Sequence, residues 1–558
     1  MRIRFCHSPA LTAISVAILA WSGSAHALEI ATGNPDLTLR ADTTVRYNLG
    51  VRTEKQDGRI LNNPTYDESD SKFDKGDIVT NRLDLLGELD LNYKNQFGAR
   101  VSGALWNDQA YHNTSVRTVV PGFSSSYIGN NYNDTVKRYV AGPSGEFLDA
   151  FVWSNFRLGE TPVNVKIGRH TNYWGEGLLF GAHAISYSQA PADGVKASTS
   201  PGIETKEVFL PLGQLSGRAQ VTDNLSVAGQ YFYEWKNTRL PYGGTYFAPA
   251  DMLFEGPDKL PVAANGLAFS RLPSVKPKQS GNWGITAKYN AEAIESTLGL
   301  YYRRFDDYQP WLSPQVLGAQ GAYRLAYPKN VSLVGASLAR VIGPVSVGTE
   351  LSMRKDGALN ATGISATDNE GPRGDTLHAI VNGVMLFPKT ALFDTASLAA
   401  EFAYSQLLRV TSHQELYKGV GYAGCRALET PGVAGSGSKA DGCSSKHYAA
   451  VAVNFTPQWL QIRPSWDMDL PISINYGIKG NAASAGGGSE KSLTYAIGIK
   501  LTYGQRHEFT LRYADALARP KYNASGNTLL GGNGSVREHR PRLACLHLQN
   551  WLLKPIHY

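Results

Sequence analysis

The sequence predicts an all-β fold: a transmembrane antiparallel β-barrel of about 16–18 strands with a long loop folded into its lumen. Three observations predict it: long runs of alternating apolar and polar residues, an alternation of short and long connections, and a glycine- and tyrosine-rich composition. The 558 residues include 57 Gly and 29 Tyr, and 18% are charged. The mean hydropathy is −0.26. A barrel with a wet lumen requires this polar average, because half of each strand faces water.

The clearest alternating segment is RLDLLGELDLNY at residues 82–93. Its apolar side chains fall on one face of a strand and its carboxylates on the other, whereas helical spacing would scatter the carboxylates around the apolar stripe. The pattern recurs at residues 43–51, 492–503 and 508–513. Runs of this length match the roughly 9–11 residues that a tilted strand needs to cross a bilayer. The charges predicted to face the lumen are Arg46, Asp84, Glu88, Asp90, Lys166, Lys288, Lys500 and Arg512.

Aromatic residues tend to stand at the ends of these segments. In a membrane barrel such residues form girdles at the two interfaces. The residues predicted to belong to the girdles are Tyr93, Trp106, Trp153, Tyr503 and Tyr513.

Connection lengths alternate along the chain. Tight turns are predicted near 92–97, 158–163, 222–225, 290–295, 342–345, 388–395, 456–458 and 504–506. Long polar connections are predicted near 52–78, 107–147, 170–214, 237–281, 306–330, 355–374, 410–446, 480–491 and 516–540. Short periplasmic turns and long outer loops alternate in this way in outer-membrane barrels.

The N-terminus has the pattern of a secretory signal peptide. Arg2 and Arg4 precede the apolar stretch Leu11–Trp21, and Ala25 to Ala27 forms a small-x-small cleavage site. We therefore expect a cleaved signal at residues 1–27, and residues 28–558 as a single barrel domain in the outer membrane of a Gram-negative bacterium. The expected partners are outer-membrane lipid, lipopolysaccharide and the barrel-assembly machinery.

Two of the four cysteines flank a Gly/Ser/Ala-rich stretch. Cys425 and Cys443 lie at its ends, and an oxidising compartment would let them form a disulfide. Closing a loop of this size stabilises by about 3 kcal/mol in the chain-entropy model. Two ligands are too few for a zinc site, so no metal is expected here.

The C-terminus is atypical for a closing strand. Residues 541–558, PRLACLHLQNWLLKPIHY, alternate poorly and carry Pro555 near the end. An unpaired edge in lipid would leave backbone groups unsatisfied. One hypothesis is a frame shift: with permissible codons, reading one base later gives an alternating peptide that ends in Phe. The DNA sequence of this region would settle it.

Residues 168–253 carry a family resemblance. They read GRHTNYWGEGLLFGAHAI, then PGIETKEVFLPLGQLSG, then TDNLSVAGQYFYEWKNTRLPYGGTYFAPADML. This block is similar to the outer-membrane proteins known as domain-of-unknown-function family 1302, and the resemblance extends over most of the mature chain. It departs at residues 170–173 and at the C-terminal tail. The resemblance implies an outer-membrane barrel and supplies no substrate.

The same block contains the loop expected to enter the lumen. In GIETKEVFLPLGQL a short helix is expected up to Val208, ended by Pro211. The hypothesis is that Ile203–Leu212 narrows the pore; the alternative is an ordinary ordered extracellular loop. The lumen or constriction candidates are Arg169, Trp174, Glu176, Glu204, Lys206, Glu207, Phe209, Leu210, Pro211, Glu234 and Trp235. For the charged residues a wall role is favoured over ligand binding: Arg169 and Glu176 either pair with lumen charges such as Glu234 or face water. For Trp174 and Trp235 a girdle or packing role is favoured over stacking against a ligand.

Composition and motifs favour transport over catalysis. The sequence has no Gly-x-Ser-x-Gly elbow, no HExxH and no P-loop, so we do not expect an enzyme, although a barrel hydrolase stays open as the least favoured reading. With 54 Lys and Arg against 47 Asp and Glu and no basic run, nucleic acid is not an expected partner. The preferred function is a channel or transporter for a small, amphipathic or hydrophobic molecule. The alternative is a structural or adhesive surface barrel. No cofactor is expected, and an export partner in the periplasm or inner membrane is a further hypothesis.

Overall fold

The computed structural model describes residues 28–112, 115–200, 203, 205–534 and 543–551. The expected signal peptide and Pro555 lie outside these residues. Among the described residues, no helix is long and apolar enough to cross a membrane.

Eighteen antiparallel strands, numbered here in chain order, form the wall. They are β1 (Leu37–Arg52), β2 (Ile78–Tyr93), β3 (Phe97–Asp108), β4 (Ser144–Leu158), β5 (Thr161–His170), β6 (Leu212–Gln220), β7 (Leu225–Phe232), β8 (Trp283–Ala291), β9 (Ser296–Phe305), β10 (Val331–Ile342), β11 (Val345–Ala358), β12 (Arg373–Phe387), β13 (Thr395–Ser412), β14 (His447–Arg463), β15 (Trp466–Asp469 and Ile472–Lys479), β16 (Leu493–Tyr503), β17 (His507–Leu517) and β18 (Leu543–Trp551). Each strand pairs with the next, and β18 pairs with both β17 and β1. The wall is therefore closed, as the sequence predicted.

The closing strand forms despite its poor alternation. Leu543–Trp551 pairs with Arg52–Thr44 of β1, and its other edge pairs with β17. Beyond Thr44, towards the N-terminal end of β1, the short strand Leu28–Ile30 pairs with Leu39–Ala41. The N-terminal segment thus covers part of the β1 edge that the described part of β18 does not reach, which satisfies backbone groups that lipid could not.

Side-chain exposure separates the two faces of the wall. Leu300 and Leu351 are 64% and 53% exposed, whereas Arg303 and Glu350, on the opposite faces of the same strands, are 1% and 4% exposed. The apolar face therefore points outward, as lipid contact requires, and the charged face points into the lumen.

Seven of the eight predicted turns lie where the alternation placed them, and one prediction is wrong. Residues 456–458 lie inside β14 and pair with Thr395–Ser397 of β13. The turn is instead at Pro464 and Ser465. Pro457 suggested a break, but proline removes only its own N–H, and its carbonyl still accepts a hydrogen bond from the Leu470 amide at 3.0 Å.

Two of the predicted girdle residues face the lumen. Trp106 is 3% exposed, and its indole N–H donates to the Arg138 carbonyl at 3.0 Å. Trp153 lies across from Lys166 on the inward register. A bulge between β3 and β4 accounts for the second error, because one extra residue flips every later side chain to the other face.

Long loops project from one end of the barrel. Those used below are L1 (53–77), L2 (109–143), L3 (171–211), L4 (233–282), L5 (306–330), L6 (359–372), L7 (413–446), L8 (480–492) and L9 (518–542, described in part). The short helices are Gly58–Leu61 and Asp67–Ser71 in L1, Asp134–Val136 in L2, and Gly194–Thr199 and Thr205–Val208 in L3. The short loop strands are Lys259–Pro261, Ala268–Arg271, Gln315–Leu317, Ala322–Arg324, Arg519–Tyr522 and Leu529–Asn533. In L7, Cys425 and Cys443 form a disulfide.

The outward face makes a quantitative stability prediction. Leu300→Arg places a charge in the middle of β9, so we expect it to lower the free energy of unfolding by about 2–4 kcal/mol. The matched control is Leu158→Arg at the last residue of β4, expected to change the free energy of unfolding by about 0–1 kcal/mol. Reversible urea unfolding in lipid vesicles, followed by tryptophan fluorescence, measures both. An equal loss of unfolding free energy in the two variants would contradict an apolar band at the level of the middle of β9.

Candidate functional site: a lumen crossed by loop L3

L3 crosses the lumen and binds the far wall through its backbone amides. Glu350 of β11 accepts hydrogen bonds from the amides of Glu176, Gly177 and Ile185, the last two at 2.8 and 2.7 Å. Glu401 of β13 accepts three more, from residues 178–180, at 2.5–2.9 Å. Hydrogen bonds to an ionised acceptor are about twice as strong as neutral ones. The two carboxylates therefore hold this part of L3 against β11–β13.

Two arginines bind the carbonyls of the same segment. Arg303 of β9 donates to the carbonyls of Tyr187 and Ser188 at 2.5 and 2.6 Å. Arg354 of β11 donates to the Ala184 carbonyl at 3.1 Å and lies over the Tyr187 ring. The wall thus offers carboxylates to the loop N–H groups and guanidinium groups to the loop carbonyls. Both kinds of buried backbone group gain partners.

A pair of buried histidines joins L3 to β12. The Nδ1 atoms of His183 and His378 are 3.0 Å apart, and Nε2 of His183 lies 2.8 Å from the Gly487 carbonyl of L8. Burial lowers the pKa of His183 to about 4. The His183 ring is therefore neutral at pH 7. Its Nε2–H donates to the Gly487 carbonyl, so its Nδ1 accepts a hydrogen bond from the Nδ1–H of His378. These rings tie L3, L8 and the wall together.

The second half of L3 returns to the wall formed by β1–β4. Glu207 pairs with Arg46 at 2.5 Å, and Lys206 pairs with Glu88 at 2.5 Å. Ser200 donates to Asp84 at 2.8 Å. These wall charges, predicted to line an open lumen, bind the loop.

The predicted constriction segment is attached to that wall by apolar contacts as well. A helix spans Thr205–Val208. Leu210 packs with Leu86, Trp106 and Leu148. Phe209 makes an edge contact with the Tyr173 ring, and Pro211 is buried. Glu204 lies outside the described residues.

The remaining predicted residues have distinct positions. Glu176 pairs with Lys288 at 3.3 Å, and Trp174 and Trp235 pack in buried apolar clusters. Asp90 pairs with Arg100 and Lys500 with Asp469.

Arg169 and Glu234 do form the expected pair, at 2.7 Å, but not in the lumen. Arg169 has the register parity of Ile167, which faces outward, so the pair lies at the outer end of β5. Alternation in the sequence identifies a strand, but it does not show where the strand ends. The end of β5 places this residue pair outside the lumen.

L3 and L4 leave a space beside one part of the described wall. A cavity of about 840 Å³ lies between L3, L4 and L5 on one side and β14–β17 on the other. The wall here carries small or uncharged inward side chains in two cross-strand rows. One row is Ala452, Asn475, Thr494 and Ala516, and the next is Asn454, Ser473, Ala496 and Ala514. Arg512 lies one step further along β17 and also lines the cavity.

The loop side of the cavity is apolar. Its side chains include Leu179 of L3, Leu240, Phe247 and Phe254 of L4, and Leu312 of L5. A second cavity of about 260 Å³ shares Leu179, Asn475, Gly486 and Thr494 with the first and extends to His183 and L8. The two cavities therefore adjoin each other beside the loops.

Sequence reasoning missed the residues that hold L3. Glu350 and Arg354 lie in the alternating run GTELSMRKD, and Glu401 begins EFAYSQ, so alternation could have placed them in the lumen. Nothing local could show that they bind L3, because their partners lie 165 to 223 residues away. Within the described ranges, no group of three or more His, Cys, Asp or Glu side chains could hold a metal ion.

A closed eighteen-strand barrel with an outward apolar face and a loop folded into its lumen is a transmembrane β-barrel. The chain belongs to the family described as protein of unknown function DUF1302, whose model matches residues 8–529. No curated protein matches it significantly.

Several solved structures resemble the chain at low similarity. Pseudomonas aeruginosa OccK3 (OpdO) is 9% identical, with a TM-score of 0.40, over 92% of this chain and 95% of that one. Acinetobacter baumannii OccAB4 is 8% identical, with a TM-score of 0.41, over 93% and 99%. A BenF-like porin from Pseudomonas fluorescens Pf-5 is 10% identical, with a TM-score of 0.40, over 92% and 98%. At these values the fold assignment rests on the strand pairing itself.

The carboxylate anchors of L3 can be tested directly. In Glu350→Gln and Glu401→Gln the charge is lost and one amide oxygen must replace two carboxylate oxygens. We expect local opening of residues 176–185 to become easier by about 2 kcal/mol, so that their amides exchange at least tenfold faster. Hydrogen exchange by mass spectrometry measures this.

The matched control is Glu370→Gln, which removes an ion pair with Arg373 at the L6 end of β12. Its exchange over 176–185 should equal that of the wild type. If the two anchor variants also showed unchanged exchange there, the carboxylates would not be what holds the loop.

Proposed function

We propose that this protein is an outer-membrane channel that passes small molecules along the wall formed by β14–β17. The observation that carries the proposal is the 840 Å³ cavity between the loops and that wall. Elsewhere the inward charges of β1–β4 and β9–β13 bind L3, which leaves little room for solute. Where the inward wall residues are alanine, serine, threonine and asparagine, the loops do not pack against the wall along the whole strand, and a cavity remains between them.

The lining favours an amphipathic or hydrophobic cargo over a fully hydrated ion. One side of the route carries leucine and phenylalanine, and the other carries hydroxyl and amide groups. Ligand sites of a few hundred to a thousand Å³ with apolar walls and a few placed polar groups are typical of small-molecule recognition.

The cellular setting is part of the same proposal. Residues 1–27 would direct secretion and be removed, and the barrel would be inserted by the assembly machinery among lipid and lipopolysaccharide. An export partner in the periplasm or inner membrane would make the same route an exit instead of an entrance.

Filling the route should close it. Ala496→Trp and Ala514→Trp place large rings on β16 and β17, two adjacent strands of the cavity wall. We therefore expect single-channel conductance in planar bilayers to fall at least twofold relative to the wild type. Ala336→Trp on the outward face of β10 is the control and should conduct as the wild type does.

Heat-modifiable gel mobility would first establish that all the variants are folded. Unchanged conductance in both Ala496→Trp and Ala514→Trp would refute the proposed route. The absence of any conductance in the folded wild type would refute the function as an aqueous channel.

A further inference from the structure

The β14–β16 wall carries polar side chains without a hydrogen-bond partner among the described residues. Asn454, Ser473, Asn475 and Thr494 face the large cavity, and none of these four side chains hydrogen-bonds to any described residue. Their neighbours on β9–β13 differ, because Asn382 there donates to the Glu176 carbonyl of L3 at 2.6 Å. The four groups are therefore left for water or a ligand.

The four side chains form a compact patch. Asn475 and Thr494 are directly opposite on β15 and β16, and Asn454 and Ser473 are directly opposite on β14 and β15. Opposite residues have Cβ atoms about 4.5–5.5 Å apart. A single small molecule can thus reach several amide and hydroxyl groups along one edge.

The surface facing this patch is apolar and presented by loops. Leu240, Phe247 and Phe254 of L4, with Leu312 of L5, line the same cavity. Phe247 is also part of the buried cluster that joins L1, L2 and L4, which fixes its position. The site is therefore two-sided: hydrogen-bonding on the barrel wall and apolar on the loops.

The patch of Asn454, Ser473, Asn475 and Thr494 carries no charge. Arg512 and Asp515 are the charged residues among the described lining, one of each sign. Asp515 has the outward register parity of Leu511 and accepts a hydrogen bond from the Tyr495 hydroxyl at 3.0 Å. A charged ligand beside the β14–β16 patch would meet amides, hydroxyls and hydrocarbon, which replace its lost hydration poorly.

We propose that the cavity between L4 and β14–β16 is a binding site for uncharged amphipathic molecules, with the apolar body against Leu240, Phe247 and Phe254 and a hydroxyl or carbonyl group on Asn475 and Thr494. This inference names the class of molecule that the proposed channel would pass, and it rests on that proposed function. Asn475 and Thr494 are the specificity-determining residues of the site.

Binding can be measured without any requirement for conduction. Wild-type protein in lipid nanodiscs is dialysed to equilibrium against para-propylphenol, para-propylbenzoate or para-propylbenzylammonium at pH 7. Ala496→Trp nanodiscs, with the site filled, give the background from lipid partition. We expect specific binding of the phenol, and about tenfold weaker binding of both charged analogues.

Variants then assign the contacts. Asn475→Leu and Thr494→Val should each weaken phenol binding about fivefold, the effect of one lost hydrogen bond. The control Thr502→Val lies on the same face of β16 outside the cavity and should bind as the wild type does.

Three outcomes would overturn the inference: a charged analogue binding as well as the phenol, no specific binding in the wild type, or unchanged binding in folded Asn475→Leu and Thr494→Val. Conductance separates this from the channel itself. Binding of the phenol without any conductance in bilayers would refute the channel function and support the binding site. Conductance without specific binding of the phenol would support the channel function and refute the binding site.

Discussion

The organisation of this barrel depends on the requirement that charges and backbone groups buried in the lumen find partners. An eighteen-strand wall encloses more space than its own side chains fill. L3 enters that space, and its peptide groups would be unsatisfied there without acceptors and donors from the wall. Glu350 and Glu401 supply the acceptors, and Arg303 and Arg354 supply donors. The loop and the inward charges thus need each other.

This mutual satisfaction explains why the lumen is asymmetric. Strands β1–β4 and β9–β13 present long charged side chains, and L3 lies against them. Strands β14, β16 and β17 present Ala452, Ala496 and Ala514 to the cavity, and these short side chains carry no charge that could bind L3. The cavity therefore lies along a part of the wall whose inward side chains are short and uncharged. The size and charge of the inward residues, strand by strand, determine where the cavity lies.

Closure imposes the second constraint on the chain. The last strand is poorly patterned, yet Leu543–Trp551 pairs on both edges. In an antiparallel wall the backbone supplies the hydrogen bonds whatever the side chains are, so weak alternation lowers the match to lipid and lumen without preventing pairing. The short strand Leu28–Ile30 covers β1 beyond Thr44. The frame-shift hypothesis for residues 541–558 remains a question for the DNA sequence.

The sequence by itself determined the fold class, the strand number within a narrow range, the face of most wall residues and the turns at one end. It could do so because alternation has a period of two and is local, so a run such as residues 82–93 carries its own orientation. It failed where a non-local feature intervened. The bulge before Trp153 changed its face, and the end of β5 placed Arg169 at the rim.

Only the tertiary structure decided what the lumen charges do. Arg46 and Glu88 were recognisable as inward residues, but their ion pairs with Glu207 and Lys206 join parts of the chain more than a hundred residues apart. The cavity likewise has one side from β14–β17 and the other from L4, and no local pattern relates the two. Hydrophobic periodicity specifies a strand, whereas the space between a wall and a loop exists only once the barrel has closed around it.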